Sequence, residues 1–94
     1  MVYIDAVHYE SDIYGNGYIA KVKYTSILSQ QAKDECTKSQ MINFINQNPH
    51  CTKTKYYYNG RWVEGEDVRV VDNRYLRTDA NSTKADNLGN LPRY

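Results

Sequence analysis

The stretch Thr52-Lys53-Thr54-Lys55-Tyr56-Tyr57-Tyr58-Asn59-Gly60-Arg61-Trp62-Val63-Glu64 decides the fold. Asn59-Gly60 suits the two positive φ values of a type I′ turn, whose twist matches that of the flanking strands. A two-residue loop also fixes the register: Tyr58 opposes Arg61, Tyr57 opposes Trp62, Tyr56 opposes Val63 and Lys55 opposes Glu64. One face therefore carries Lys55, Tyr57, Trp62 and Glu64, an aromatic pair beside a charge pair. Opposed charges belong in water. The preferred arrangement therefore packs Tyr56, Tyr58 and Val63 on a helix and turns Tyr57 and Trp62 outward. The reverse, with Trp62 in the core, stays open. Exposed aromatics of this kind are enriched at interfaces, although cross-strand packing that merely covers the sheet accounts for the same residues.

The helix lies just upstream. Thr37-Lys38-Ser39-Gln40 fits a capping box, in which the Thr hydroxyl and the Gln side chain satisfy free backbone donors at a helix start. Met41, Ile42, Phe44 and Ile45 then form one apolar stripe, and Pro49 forbids continuation. Nearer the N-terminus, residues 2–9 are mostly β-branched or aromatic with apolar side chains in both alternating sets, which predicts a strand contacted on both faces. Tyr14-Gly15-Asn16-Gly17 supplies a turn. Residues 18–24 alternate cleanly, with Tyr18, Ala20, Val22 and Tyr24 on one face and Ile19, Lys21 and Lys23 on a wet one. Residues 25–36 read as a polar connection containing a short helical turn at 29–35. Beyond the hairpin, Gly65-Glu66-Asp67 marks a bulge or bend, and residues 68–71 resume the strand. The expected fold is α+β, a β-β-α-β-β order with an antiparallel sheet of four to five strands and one amphipathic helix on one face, in a single domain over residues 1–94.

The chain has 94 residues, 40% hydrophobic and 24% charged, which is an ordinary globular composition. Ten tyrosines favour a sheet, because the ring covers a half-buried pleated surface while the hydroxyl stays wet. Twelve Lys and Arg against eleven Asp and Glu leave +1, so no bulk field draws nucleic acid or an anionic membrane. Met1-Val2-Tyr3-Ile4-Asp5 lacks a basic secretion signal, and no stretch suits a membrane span, so a cytoplasmic location is expected. Cys36 and Cys51, even with His8 and His50, have no metal-ligand spacing, and reduced packed thiols are expected. Gly15-Asn16-Gly17 leads into a strand rather than a helix and is no phosphate loop. Asp79-x-Asn81-x-Thr83 begins like a calcium loop, but Lys84 replaces the required glycine and Asn90 the bidentate glutamate. No cofactor or metal is expected.

The C-terminal segment reads Tyr75-Leu76-Arg77-Thr78, then Asn81, Thr83, Asp86-Asn87-Leu88 and Leu91-Pro92-Arg93-Tyr94. With the strand pair, the Thr-capped helix and the Asn-Gly hairpin before it, this resembles the small bacterial domain-of-unknown-function family 3892 over nearly the whole chain. The resemblance implies a domain boundary and no activity, and no catalytic residue follows from it. In this segment Arg77, Asp86, Asn87 and Arg93 are candidates for a polar recognition site, with Arg77 able to grip a carboxylate or phosphate bidentately. Asx turns that satisfy an irregular backbone explain the same residue types.

Three functions follow as expectations. The first is a non-catalytic module that binds a protein through Tyr57 and Trp62, as an adaptor or inhibitor. The second is single-stranded nucleic-acid binding, with Tyr57, Tyr58 and Trp62 stacking bases and Lys53, Lys55 and Arg61 meeting phosphates. The third is an enzyme using the C-terminal polar cluster, for which no nucleophile or acid–base motif is present.

Overall fold

A computed structural model of the chain describes residues 1–79 and 85–94. Its elements run β1 (Val2–Ser11), β2 (Gly17–Thr25), β3 (Asp34–Thr37), α1 (Lys38–Gln47), β4 (Thr52–Tyr58), β5 (Arg61–Asp67), β6 (Arg69–Val71) and β7 (Tyr75–Arg77). The fold is α+β, with one helix and a five-stranded sheet ordered β3-β2-β1-β4-β5, and β6 and β7 form a separate two-stranded sheet. The β-β-α-β-β order is corrected on two points. The end of the expected connection, where a helical turn over 29–35 was expected, joins Thr37 in a strand over 34–37 on β2. The sheet also contains one parallel pair, β1 with β4, over Val2 to Ile4. Parallel neighbours need a crossover rather than a tight turn. Here β3 leads into α1, which carries the chain past β2 and β1 to the far side of β1.

Two bulges decide which side chains reach the core. Register passes from Ile4↔Tyr24 to Ala6↔Lys23, so Asp5 is an extra residue on β1, and from His8↔Lys21 to Tyr9↔Ile19, so Ala20 is an extra residue on β2. An extra residue flips the alternation. The two apolar sets of β1 are thereby merged, because Ile4 and Val7 both join the core and Tyr9 packs against it. The same correction applies to β2, where the bulge at Ala20 returns Ile19 from the expected wet face to full burial beside Val22.

The helix forms as its residues dictate. Gln40 donates its backbone N–H to the Thr37 hydroxyl at 3.2 Å, and the Thr37 N–H donates to the Gln40 side chain at 3.0 Å. Met41, Ile42 and Ile45 are buried against Ile4, Val7, Ile19, Val22, Val68, Leu76 and Leu88. Among the described residues no helix is long and apolar enough to cross a membrane.

The hairpin pairs as its turn requires. Asn59 and Gly60 have φ of 56° and 82°, and the four expected partners are opposed. Lys55, however, does not face solvent. It is fully buried, and its ammonium donates to the carbonyls of Ile27 and Leu28 at 3.1 Å and to that of Gln30. It lies 3.9 Å from the buried Asp5 carboxylate, which accepts the Ala32 N–H at 2.8 Å. Burial pulls the ammonium below the ordinary lysine pKa, and Asp5 partly offsets this. The bulge residue of β1 and one residue of β4 thus clamp residues 27–32 onto the sheet.

Removing one partner of a buried ion pair strands the other. Lys55→Met should lower the unfolding free energy by about 3 kcal/mol. In a urea-denaturation cycle with Asp5→Asn, the double variant should lose less than the summed single losses; strict additivity would show that the two side chains do not act together.

Candidate functional site

The aromatic candidates are assembled differently from the expected arrangement. Tyr57 is 62% exposed and meets Trp62 edge-on, with ring centroids 5.3 Å apart at 72°. Trp62 is half-buried, because its ring lies over the Lys55 ammonium at 4.2 Å. It is neither a free surface ring nor a core residue. Glu64 does not pair with Lys55; its carboxylate lies 3.5 Å from Lys53, which is also 3.8 Å from Asp67. Tyr56 and Tyr58 are 46% and 65% exposed instead of packed on α1, whose main strand neighbours are β2, β3 and β6. Three consecutive tyrosines therefore stand in water at the end of the hairpin. Since β1 and β4 run parallel, the turn after β1 lies at the same end of the sheet, and it presents Ile13 and Tyr14 at 91% and 81% exposure.

The C-terminal candidates are brought together only in part. The Asp86 side chain is buried and accepts the N–H groups of Ile19 and Leu76, each at 2.9 Å, and the Lys38 ammonium at 3.0 Å. It ties β2, β7 and the helix start to one carboxylate. Arg77 does form a fork, but on its own chain: Nε and Nη2 each donate at 2.9 Å to Asp79, and Nη1 donates to the Ala85 carbonyl at 2.8 Å. Asn87 runs beside β7, with its N–H on the Leu76 carbonyl and its own carbonyl accepting from Thr78. Arg93 lies elsewhere, its guanidinium 4.1 Å over the Tyr9 ring and its backbone bridged to Val7. Pro92 and Tyr94 complete that bridge through the Val7 N–H and carbonyl, beyond the point where the β1–β4 ladder stops. Of the calcium-like pattern, Asn81, Thr83 and Lys84 lie outside the described residues.

With this geometry in place, comparison with known proteins places the chain in a family. The model of the family described as protein of unknown function (DUF3892) matches residues 4–92. The chain belongs to DUF3892. No curated protein and no solved structure matches it. Within this DUF3892 chain the Leu76-Arg77 and Asp86-Asn87-Leu88 residues that carry the resemblance meet at one place, the seam where the C-terminal segment closes on β7 and β2.

A cleft of about 880 Å³, missed from the sequence, borders this seam. It lies between the start of β2, the first turn of α1 and the turn joining β6 to β7, and Tyr18, Lys38, Ser39, Asn73, Arg74, Tyr75 and Asp86 are among its lining residues. The Lys38 ammonium lies 5.5 Å from the Tyr18 ring centroid and 5.7 Å from that of Tyr75, and the Arg74 guanidinium is 5.6 Å from Tyr75. One signal was available. A lysine at the first helical position opposes the helix dipole, which points to a partner such as Asp86.

Elsewhere, Cys36 and Cys51 are free and half-buried. Burial, with Glu35 beside it, pushes the Cys36 thiol up to about 11.

Asp86→Asn should cost about 2–3 kcal/mol, because a buried acceptor of charged and backbone donors is lost, and should lower Tm by roughly 10–15 °C in a scanning calorimeter. An unchanged Tm would remove the clamp assigned to Asp86. Alkylation of Cys36, followed by mass spectrometry, should accelerate about tenfold per pH unit well beyond the roughly 8.5 at which an ordinary thiol levels off; a plateau at the ordinary value would contradict the burial argument.

Proposed function

We propose that the protein is a small non-catalytic binding module of the bacterial cytoplasm, of adaptor or inhibitor type, whose partner is another protein. The observation that carries this reading is the run Tyr56-Tyr57-Tyr58, exposed at 46%, 62% and 65% at a hairpin end where Ile13 and Tyr14 are also exposed. Tyrosine has only two side-chain torsions, so it offers a large amphipathic contact area at low entropic cost. Trp62, propped by the buried Lys55, stiffens Tyr57 from beneath. The polar groups that a catalytic reading would recruit are engaged in holding the chain together, Arg77 by Asp79 and Ala85, and Asp86 by three donors.

The nucleic-acid reading draws less support. Of its three cations, Lys55 is buried and Lys53 is paired with Glu64 and Asp67. Arg61 alone stays exposed, and a stacking platform with one cation keeps little of the electrostatic term that dominates such binding.

Affinity capture from the native host, with a parallel nuclease-treated arm, tests the proposal. A nuclease-resistant protein partner is expected, and Tyr57→Ala/Tyr58→Ala should weaken its binding at least about tenfold while Tm stays unchanged. Capture that disappears with nuclease, or that survives the double substitution, would sink it.

A further inference from the structure

The cleft beside α1 has a chemistry distinct from that of the tyrosine hairpin. Two of its lining residues are acids, and both are already committed within the chain. Asp86 receives Ile19, Leu76 and Lys38, while Asp12 receives the N–H groups of Tyr14 and Asn16 at 2.9 Å and the Asn16 side-chain amide at 3.4 Å. Those turn hydrogen bonds hold the Asp12 carboxyl below its ordinary value. Asn73 uses its side-chain oxygen to accept from Asn46 at 2.8 Å, so its amide N–H₂ is what remains. The cleft therefore has few free acceptors and several free donors: the exposed Arg74 fork, the Asn73 amide and the Ser39 hydroxyl. The capping box engages the N–H groups of Thr37 and Gln40 and leaves those of Lys38 and Ser39, at the cleft, for solvent or a ligand.

Lys38 is paired with Asp86, so the Arg74 guanidinium is the cation of the lining left to meet a ligand, and a planar guanidinium among surplus donors suits a phosphate. The walls add a second requirement. Tyr18 and Tyr75 both turn ring faces toward Lys38, and Tyr18 stays 38% exposed, so a flat ring can pack on it. At about 880 Å³ the cleft lies toward the upper end of the range for small-molecule sites, large for a bare phosphate ion. We propose that this cleft binds a small organic phosphate of mononucleotide size, with the phosphate at Arg74, Ser39 and Lys38 and the ring against Tyr18. The site is independent of the hairpin, and either assignment can fail alone.

Amide chemical shifts of the intact chain, followed at low salt during titration with AMP, adenosine and inorganic phosphate, test it. AMP should give saturable shifts at Tyr18, Lys38, Ser39 and Arg74, and should bind at least about tenfold more tightly than either adenosine or inorganic phosphate. Lys38→Gln strands Asp86 and is expected to destabilise the fold, so the decisive variant is Arg74→Gln, an exposed position. It should weaken AMP about tenfold with Tm unchanged, whereas Tyr57→Ala/Tyr58→Ala should leave AMP binding intact. AMP binding no more tightly than its two fragments, shifts that are absent or lie away from the cleft, or indifference to Arg74→Gln would each overturn the assignment.

Discussion

The ammonium group of Lys55 is the constraint on which the rest of the structure depends. A charge withdrawn from water costs several kcal/mol unless it is fully ligated, and this one is ligated by three carbonyls of one irregular segment and by the Asp5 carboxylate. Residues 26–33 are mostly polar and, apart from Ala32, bury no hydrophobic side chain. What fixes their path is the ion pair. Once residues 27–32 are held, the chain re-enters the sheet as β3 and ends at Thr37, the residue that caps α1. Lys38 then follows at the first helical position, within reach of Asp86. A second buried carboxylate so inherits its geometry from the first.

Both clamps join backbone that has no regular partner to backbone that has one. Asp5 is itself the bulge residue of β1, extra in the ladder and therefore free to aim its side chain at the covering segment rather than along the pleat. Thr54 does related work at the bulge in β5, where its hydroxyl accepts the Glu66 N–H at 3.1 Å. A Cβ at Gly65 would come within 2.4 Å of that hydroxyl, which explains a glycine inside a strand. The C-terminal residues fill a further gap. After Ile4↔Thr54 the parallel ladder ends, and Pro92 to Tyr94 take over the edge of β1 at Val7.

Local chemistry was readable from the sequence, and long-range partnership was not. Asn59-Gly60 fixes the hairpin register because the turn conformation depends on those two residues alone, and the Thr37 to Gln40 box fixes the helix start for the same reason. The faces of the hairpin were misjudged because Lys55 and Glu64 are indeed opposed, yet opposition does not make an ion pair when a closer carboxylate lies 50 residues upstream. Periodicity failed at Ile19 for a comparable reason. One extra residue at Ala20 inverts an alternation that looks flawless in the sequence. Of the polar C-terminal candidates Arg77, Asp86, Asn87 and Arg93, the first three meet at one seam and Arg93 does not, because their roles depend on which groups fold against them.

That distribution of polar groups bears on function more than any motif does. In a chain this short, each buried carboxylate, ammonium or guanidinium that closes a seam is committed to holding the fold, and Asp5, Lys55, Arg77 and Asp86 are all used this way. Two kinds of surface face water beside these seams. One is the tyrosine cluster at the hairpin end, with Tyr56 and Tyr58 on one face of the strand and Tyr57 on the other. The other is the donor-rich recess around Arg74, suited to a small anion. The recess exists because Asp86 pulls Lys38 down against β2 and β7 while Tyr18 and Tyr75 flank it. The surfaces proposed for binding are thus a by-product of how the buried charges are satisfied, and the residues that hold the seam also shape the surface beside it.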